Sequence, residues 1–265
     1  MDALTFLGTG CGWPTADRFH TSLLLEAAGR RWLLDAGEPC SHRLKALGVP
    51  LGSIDAVFLS HGHSDHLSGL PMFIQGCWLE RRTRPLPLYT PAELIEPIRA
   101  WLDAVYLPAK IIGFPIEYHA WETLADRTAT PDGGSLAVQV HPTSHLDGLR
   151  ARIDPAATDR FRAYSLAFRW PGTGRHFVFS ADLGRPEDLE PALASPCELL
   201  VCELSHFSPE ELFAFLADKP VRQLCLTHLS PDLKLSHEET AALASESLPQ
   251  VERIRIVADG ERVEF

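Results

Sequence analysis

The stretch Ala56-Val57-Phe58-Leu59-Ser60-His61-Gly62-His63-Ser64-Asp65-His66 decides how this chain is read. A short run of strand-forming residues delivers the chain straight into three imidazoles and one carboxylate. On a tight loop, alternate residues point to one side and adjacent ones to the other. His61 and His63 therefore suit one ion, while Asp65 and His66 suit a second. Neutral imidazole and carboxylate are ligands for zinc, and also for manganese or iron. Four such side chains crowded at a strand end need a partner.

A two-ion site needs more ligands than this loop supplies. His145, Asp182 and His228 each follow an apolar β run, in His141-Pro142-Thr143-Ser144-His145, Phe177-Val178-Phe179-Ser180-Ala181-Asp182 and Cys225-Leu226-Thr227-His228. Loops after such strands carry functional residues. His141 competes with His145 for the same role, and its place at the end of the strand itself favours His145.

The chain has 265 residues, with 24 Lys+Arg against 35 Asp+Glu, a net charge of −11. That length suits one large domain, taken here as residues 1–265, with an insert at roughly 80–130 shaping the substrate side. The acidic balance argues against a dedicated nucleic-acid coat protein. Six cysteines without a C-x-x-C pair read as buried thiols in a reducing compartment. The start, MDALTFLGTG, has no signal-peptide pattern, and no apolar run has membrane-spanning length. A cytoplasmic location is the expectation.

Strands are expected at 4–7, 22–26, 31–35, 56–60, 85–89, 114–118, 135–140, 164–170, 176–180, 199–202, 223–227, 253–257 and 262–265. Helices are expected at 39–47, 67–79, 91–106, 186–194, 209–216 and 238–247, with Thr90 and Ser208 as N-caps. Residues 148–159 read as a loop. Strands fall in two blocks with helices interleaved in each, which fits two sheets with helices outside them. Gly8-Thr9-Gly10-Cys11-Gly12 lacks dinucleotide-loop spacing and reads as a structural turn near the site.

At these residues the chain resembles the metallo-β-lactamase superfamily, whose pattern is H-x-H-x-D-H followed by a His, an Asp and a His at strand ends. Asp35 matches that family's upstream structural aspartate. Within the superfamily, three segments resemble the ribonuclease Z branch of transfer-RNA 3′-processing endonucleases. These are Phe6-Leu7-Gly8-Thr9-Gly10 with Trp13-Pro14-Thr15, then Asp35-Ala36-Gly37-Glu38, and the histidine loop with Gly69-Leu70-Pro71. The resemblance implies an α/β fold, the four-layer αββα metallo-β-lactamase sandwich, with two divalent ions, zinc first among them. It implies that His61, His63 and His145 hold one ion, that Asp65, His66 and His228 hold the other, and that Asp182 bridges. It also implies a homodimer. Two segments depart from the branch. Nothing matches the endonucleases' long Gly- and Pro-rich arm, and their H-E-A-T segment reads here as Cys202-Glu203-Leu204-Ser205-His206.

Two divalent ions about 3.5–4 Å apart can share a hydroxide and clamp a scissile phosphate. Asp65 is expected to orient that nucleophile. Glu203 and His206 are candidates for protonating the leaving group. Arg150, Arg152, Arg160 and Arg162, or Arg81, Arg82 and Arg84, could contact substrate phosphates, and Trp78, Trp101, Tyr106 and Trp121 could line a pocket. The leading expectation is a two-metal phosphodiesterase acting on a small phosphodiester or RNA, with no membrane partner. The alternative is an ester, thioester or lactone hydrolase on the same ions. A third reading is a di-iron redox or metal-binding protein.

Overall fold

The computed structural model describes residues 2–232 and 235–265. The chain forms two compact units, one of residues 1–124 with 258–265 and one of residues 125–257. Each is built on its own seven-stranded sheet.

In the first unit the strand order is Arg262–Glu264, Ala3–Gly8, Ser22–Ala27, Arg30–Leu34, Ala56–Phe58, Leu86–Thr90 and Ile116–Ala120. Ser22–Ala27 and Arg30–Leu34 form a hairpin that closes with Ala27 opposite Arg30. Its two turn residues, Ala28 at φ 51° and Gly29 at φ 74°, are left-handed, as a two-residue turn that follows strand twist requires. From Arg30–Leu34 onward the strands run parallel. The central one, Ala56–Phe58, is buried and apolar on both faces, as inner parallel strands are. Helices Cys40–Ala46 and Leu70–Leu79 place Leu44, Phe73, Ile74 and Cys77 in the core beside Leu33, Val57 and Leu88.

In the second unit the order is Arg253–Ile256, Val221–Leu229, Cys197–Leu204, Arg175–Phe179, Ala163–Trp170, Ala137–Thr143 and Thr128–Ala129. Helix Pro209–Leu216 buries Pro209, Leu212, Phe213 and Leu216, a helical stripe that packs with Leu224 and Leu226 of the sheet. Ser208 caps this helix as expected, in a capping box with Glu211. The last helix, His237–Ser247, starts in the same way at Ser236.

Three helix expectations and one loop expectation need correction, and proline accounts for two of them. The helix expected over 91–106 is a 3-10 turn, Ala92–Leu94, followed by Ile95–Ala104. Pro97 explains the restart: in the first turn its missing N–H costs nothing, whereas deeper inside it would remove a bond and clash. Thr90 belongs to the preceding strand and caps nothing. The expected helix over 186–194 is only the turn Pro186–Leu189, because Pro191 cannot continue it. The helix over 67–79 is two, Ser64–Leu67 and Leu70–Leu79, parted at Gly69. A Cβ at Gly69 would sit 2.8 Å from the Cys40 sulfur and 2.9 Å from two carbonyl oxygens, so this junction admits only glycine. The expected loop over 148–159 instead begins with a helix, Asp147–Ile153. All six cysteines are buried, which holds the thiols of Cys40, Cys77 and Cys197 up at about 12.

His176 is 2% exposed, and its Nδ1–H donates to the Pro196 carbonyl at 3.2 Å. Burial first, then the neighbouring Arg169 cation, pushes its pKa down to about 4. The unfolded chain therefore binds a proton that the folded chain refuses between the ordinary value of 6.5 and about 4. That stability is present above the unfolded pKa and is lost as pH falls through the folded one. Its size is about 3 kcal/mol. Urea unfolding at pH 7 and pH 4.5 checks this: His176→Gln should lose less stability on acidification than the unaltered chain.

Candidate metal centre

In the first unit the site is built around Asp35. The strand Arg30–Leu34 ends at Asp35, whose φ of 53° turns the chain sharply. A left-handed aspartate is tolerated where the surroundings hold it. Here they do: Asp35 is fully buried, and its carboxylate accepts hydrogen bonds from Ser60 N (2.8 Å), Ser60 Oγ (2.8 Å) and His66 Nδ1 (2.7 Å). The Ala36 N–H also donates to the His66 carbonyl at 2.7 Å. A Cβ at Gly37 would overlap the Asp65 carbonyl, so the Asp-Ala-Gly turn lies directly against the histidine loop.

This bonding has a chemical consequence. A proton on His66 Nδ1, donated to Asp35, leaves the lone pair on Nε2, the tautomer that a metal ligand needs. His66 Nε2 lies 3.5 Å from Asp65 Oδ2. His61 and His66 rings are 4.2 Å apart, and His61 and His63 rings 4.8 Å. The structure thus gathers all four loop residues with Asp35. The turn after Ala3–Gly8 also reaches this place: a Cβ at Gly12 would be 3.5 Å from Asp65 Oδ2.

The second unit builds its part from strand ends on one rim. Phe179, Val201 and Cys225 are in register on adjacent parallel strands, and Asp182, Glu203 and His228 follow them by two or three residues. His145 follows Thr143 on a strand parallel to Arg175–Phe179, with Ala163–Trp170 between them. Ala181 at φ 47° and His228 at φ 51° are left-handed, which aims successive side chains along the rim. Asp182, 2% exposed, has Oδ2 3.5 Å from His145 Nε2 and Oδ1 3.4 Å from His228 Nε2.

Glu203 lies beneath, 1% exposed, and its carboxylate accepts from Leu183 N (2.9 Å), Ser205 N (2.7 Å), His206 N (3.2 Å) and His206 Nδ1 (2.7 Å). His206 is exposed and its ring stands 4.5 Å from that of His145 and 5.9 Å from that of His228. Glu203, His206 and His228 each offer a ligand-type atom within 4.8 Å of the others. The donors present fit a divalent ion: they are imidazoles and carboxylates, largely buried, and the tautomer of His66 is set by the carboxylate behind it.

His141 is not gathered with these groups. It sits inside the strand Ala137–Thr143 opposite Ser165, where burial and the Arg169 and Arg127 cations hold its pKa below the ordinary histidine value. Part of each basic cluster is tied up in local bonds. Arg82 is 5% exposed and donates to four carbonyls, and Arg84 pairs with Asp55. Arg150 pairs with Asp147, and Arg162 donates to the Thr158 carbonyl. Trp121 is fully buried, its indole N–H on the Leu59 carbonyl, so it is core. The supporting residues Ser60, Thr143, Ser144 and Asp188 escape sequence reasoning. Only the adjacency of Ser60 to His61 hints at a role.

The family described as beta-lactamase superfamily domain matches residues 30–229. The chain belongs to that superfamily. A ribonuclease Z of Pseudomonas putida is 30% identical over 87% of this chain and 85% of its own length. Among solved structures, the metallo-beta-lactamase fold protein YhfI of Bacillus subtilis superposes with a TM-score of 0.76 at 19% identity, covering 99% and 98% of the two chains. The short form of human tRNase Z superposes at 0.72, also at 19% identity, covering 100% and 98%. The α/β fold expected from sequence is therefore the metallo-β-lactamase fold, and the His/Asp cluster is that of a metal-dependent hydrolase. Among the described residues, no helix is long and apolar enough to cross a membrane.

Asp35 orients a ligand by hydrogen bonding, so Asp35→Ala should weaken divalent-metal binding by about 10–100-fold. Competition with a chromophoric chelator measures this directly. Ser60→Ala, which removes one of the three bonds, should have a smaller effect.

Proposed function

We propose that this protein is a two-metal phosphodiesterase in which His61, His63 and His145 hold one divalent ion, Asp65, His66 and His228 hold the other, and Asp182 bridges. The observation that carries this reading is Asp182: its two oxygens face two different imidazoles, His145 and His228. A carboxylate so placed could offer one oxygen to each of two ions.

Imidazole and carboxylate donors without a thiolate suit zinc first, then manganese or iron. When bound, such ions polarise a phosphate and lower the pKa of a water. The chain's own residues supply the rest. Asp65, 6% exposed, orients the attacking water and accepts its proton. Glu203 holds His206 by Nδ1, so that the exposed Nε2 can carry a proton to the departing alkoxide. The buried Glu203 carboxylate stabilises the imidazolium before transfer and fixes the ring's orientation. His206 stands beside two proposed ligands and is itself solvent-accessible, which suits a group that must be reprotonated in each cycle.

The substrate is a phosphodiester, in a small molecule or in RNA. The ribonuclease Z relatives support this bond type.

Hydrolysis of bis(p-nitrophenyl) phosphate by zinc- or manganese-loaded protein tests the reaction. Asp65→Ala should abolish turnover while the fold persists. Turnover that survives in Asp65→Ala would refute the site assignment, and full loading with two ions but no turnover would favour acyl substrates. His206→Ala should separate leaving groups. With p-nitrophenolate, which departs without help, kcat should fall little. With an alkoxide leaving group it should fall by about 10²–10⁴-fold.

A further inference from the structure

Outside the proposed ligands, one buried carboxylate has hydrogen-bond partners that all lie on the two turns carrying His145 and Asp182, beside an ion pair with Arg185 at 3.6 Å. Asp188 belongs to the 3-10 turn Pro186–Leu189, and its side chain is 7% exposed. Its Oδ2 accepts from Ser144 N at 2.8 Å, Ser144 Oγ at 2.8 Å and Gly184 N at 3.0 Å, and its Oδ1 accepts from Ser144 Oγ at 3.1 Å. Ser144 immediately precedes His145, and Gly184 lies two residues after Asp182. One carboxylate thus ties the backbones of two turns whose strands, Ala137–Thr143 and Arg175–Phe179, are not adjacent in the sheet.

Two further contacts tighten the same joint. Thr143 Oγ1 donates to the Asp182 carbonyl at 2.9 Å. A Cβ at Gly184 would overlap the Ser144 side chain and stand 2.7 Å from its carbonyl carbon, so the turns touch with no room to spare. Burying a carboxylate costs several kcal/mol unless it is well hydrogen-bonded. Here the hydrogen bonds that compensate the burial are the ones that join the two turns.

We infer that Asp188 is a positioning residue for the metal centre: it locks the turns of His145 and Asp182 together and so sets the spacing at which their side chains meet an ion. This rests on the ligand assignment proposed above. Asp188 touches no ligand side chain in its hydrogen bonds. It acts through the backbone, where a shift of a fraction of an ångström would change a coordination distance that tolerates little error. Its role differs from that of Asp35, which bonds a ligand ring directly.

The test measures metal affinity and geometry apart from catalysis. Wild type, Asp188→Ala, Asp188→Asn and Gly184→Ala are compared by chelator competition for zinc, by the visible spectrum of the cobalt-substituted protein, and by the melting temperature of the metal-free form. Asp188→Ala should bind zinc about 10–100-fold more weakly, with a shifted cobalt spectrum. Gly184→Ala, which pries the same turns apart by bulk rather than by lost hydrogen bonds, should shift the spectrum in the same sense. Asp188→Asn retains one acceptor oxygen and should recover part of the affinity. Wild-type affinity and an unchanged spectrum in both Asp188→Ala and Gly184→Ala would overturn the inference. So would a loss of affinity accompanied by a metal-free form already unfolded in Asp188→Asn and Gly184→Ala. A wild-type protein that binds no zinc would refute the metal reading itself, whereas normal wild-type binding with unperturbed variants refutes only the positioning role.

Discussion

The first unit depends on a carboxylate it hides from water. Asp35 is fully buried and spends its oxygens on Ser60 and His66. Those bonds compensate for burying it, and in doing so they hold the end of the strand Arg30–Leu34 against the end of Ala56–Phe58. The left-handed turn at Asp35, the contact at Gly37 and the glycine-only junction at Gly69 all follow from fitting that joint. Remove the carboxylate, and His66 loses the partner that selects its tautomer.

The second unit repeats the device with different residues. Glu203, also buried, gathers three backbone N–H groups and the Nδ1 of His206. Asp188 gathers Ser144 and Gly184. Each unit therefore places reactive side chains by spending a buried carboxylate behind them, a geometry that loops alone would not hold. The left-handed residues Asp35, Ala181 and His228 mark where backbone strain is accepted for that purpose.

Much of the architecture is legible along the chain. Parallel strands buried on both faces read as apolar runs, and the β segments around 56–60, 176–180 and 223–227 stand close to where the sequence places them. The helices are less legible, because a proline can open a helix or break it. Pro97 and Pro191 are each compatible with an expected helix by composition, and only the position of the first turn decides between the two roles. Gly69 reads as one more residue of a helix until the Cys40 sulfur fills the space its side chain would need.

The sequence alone determined the chemistry. Its histidines and aspartates at strand ends are of the types that bind a divalent ion, and their order along the chain carries the superfamily pattern. It could not determine which atoms face one another. His141 and His145 are equal as letters, and only strand register separates the one buried beside Arg169 from the one beside Asp182. Ser144, Gly184 and Asp188 carry no local signal at all, since their meaning comes from bonds between turns distant in sequence. Ligand type is a property of residues, whereas orientation, tautomer and spacing are properties of packing, and packing exists only in the folded chain.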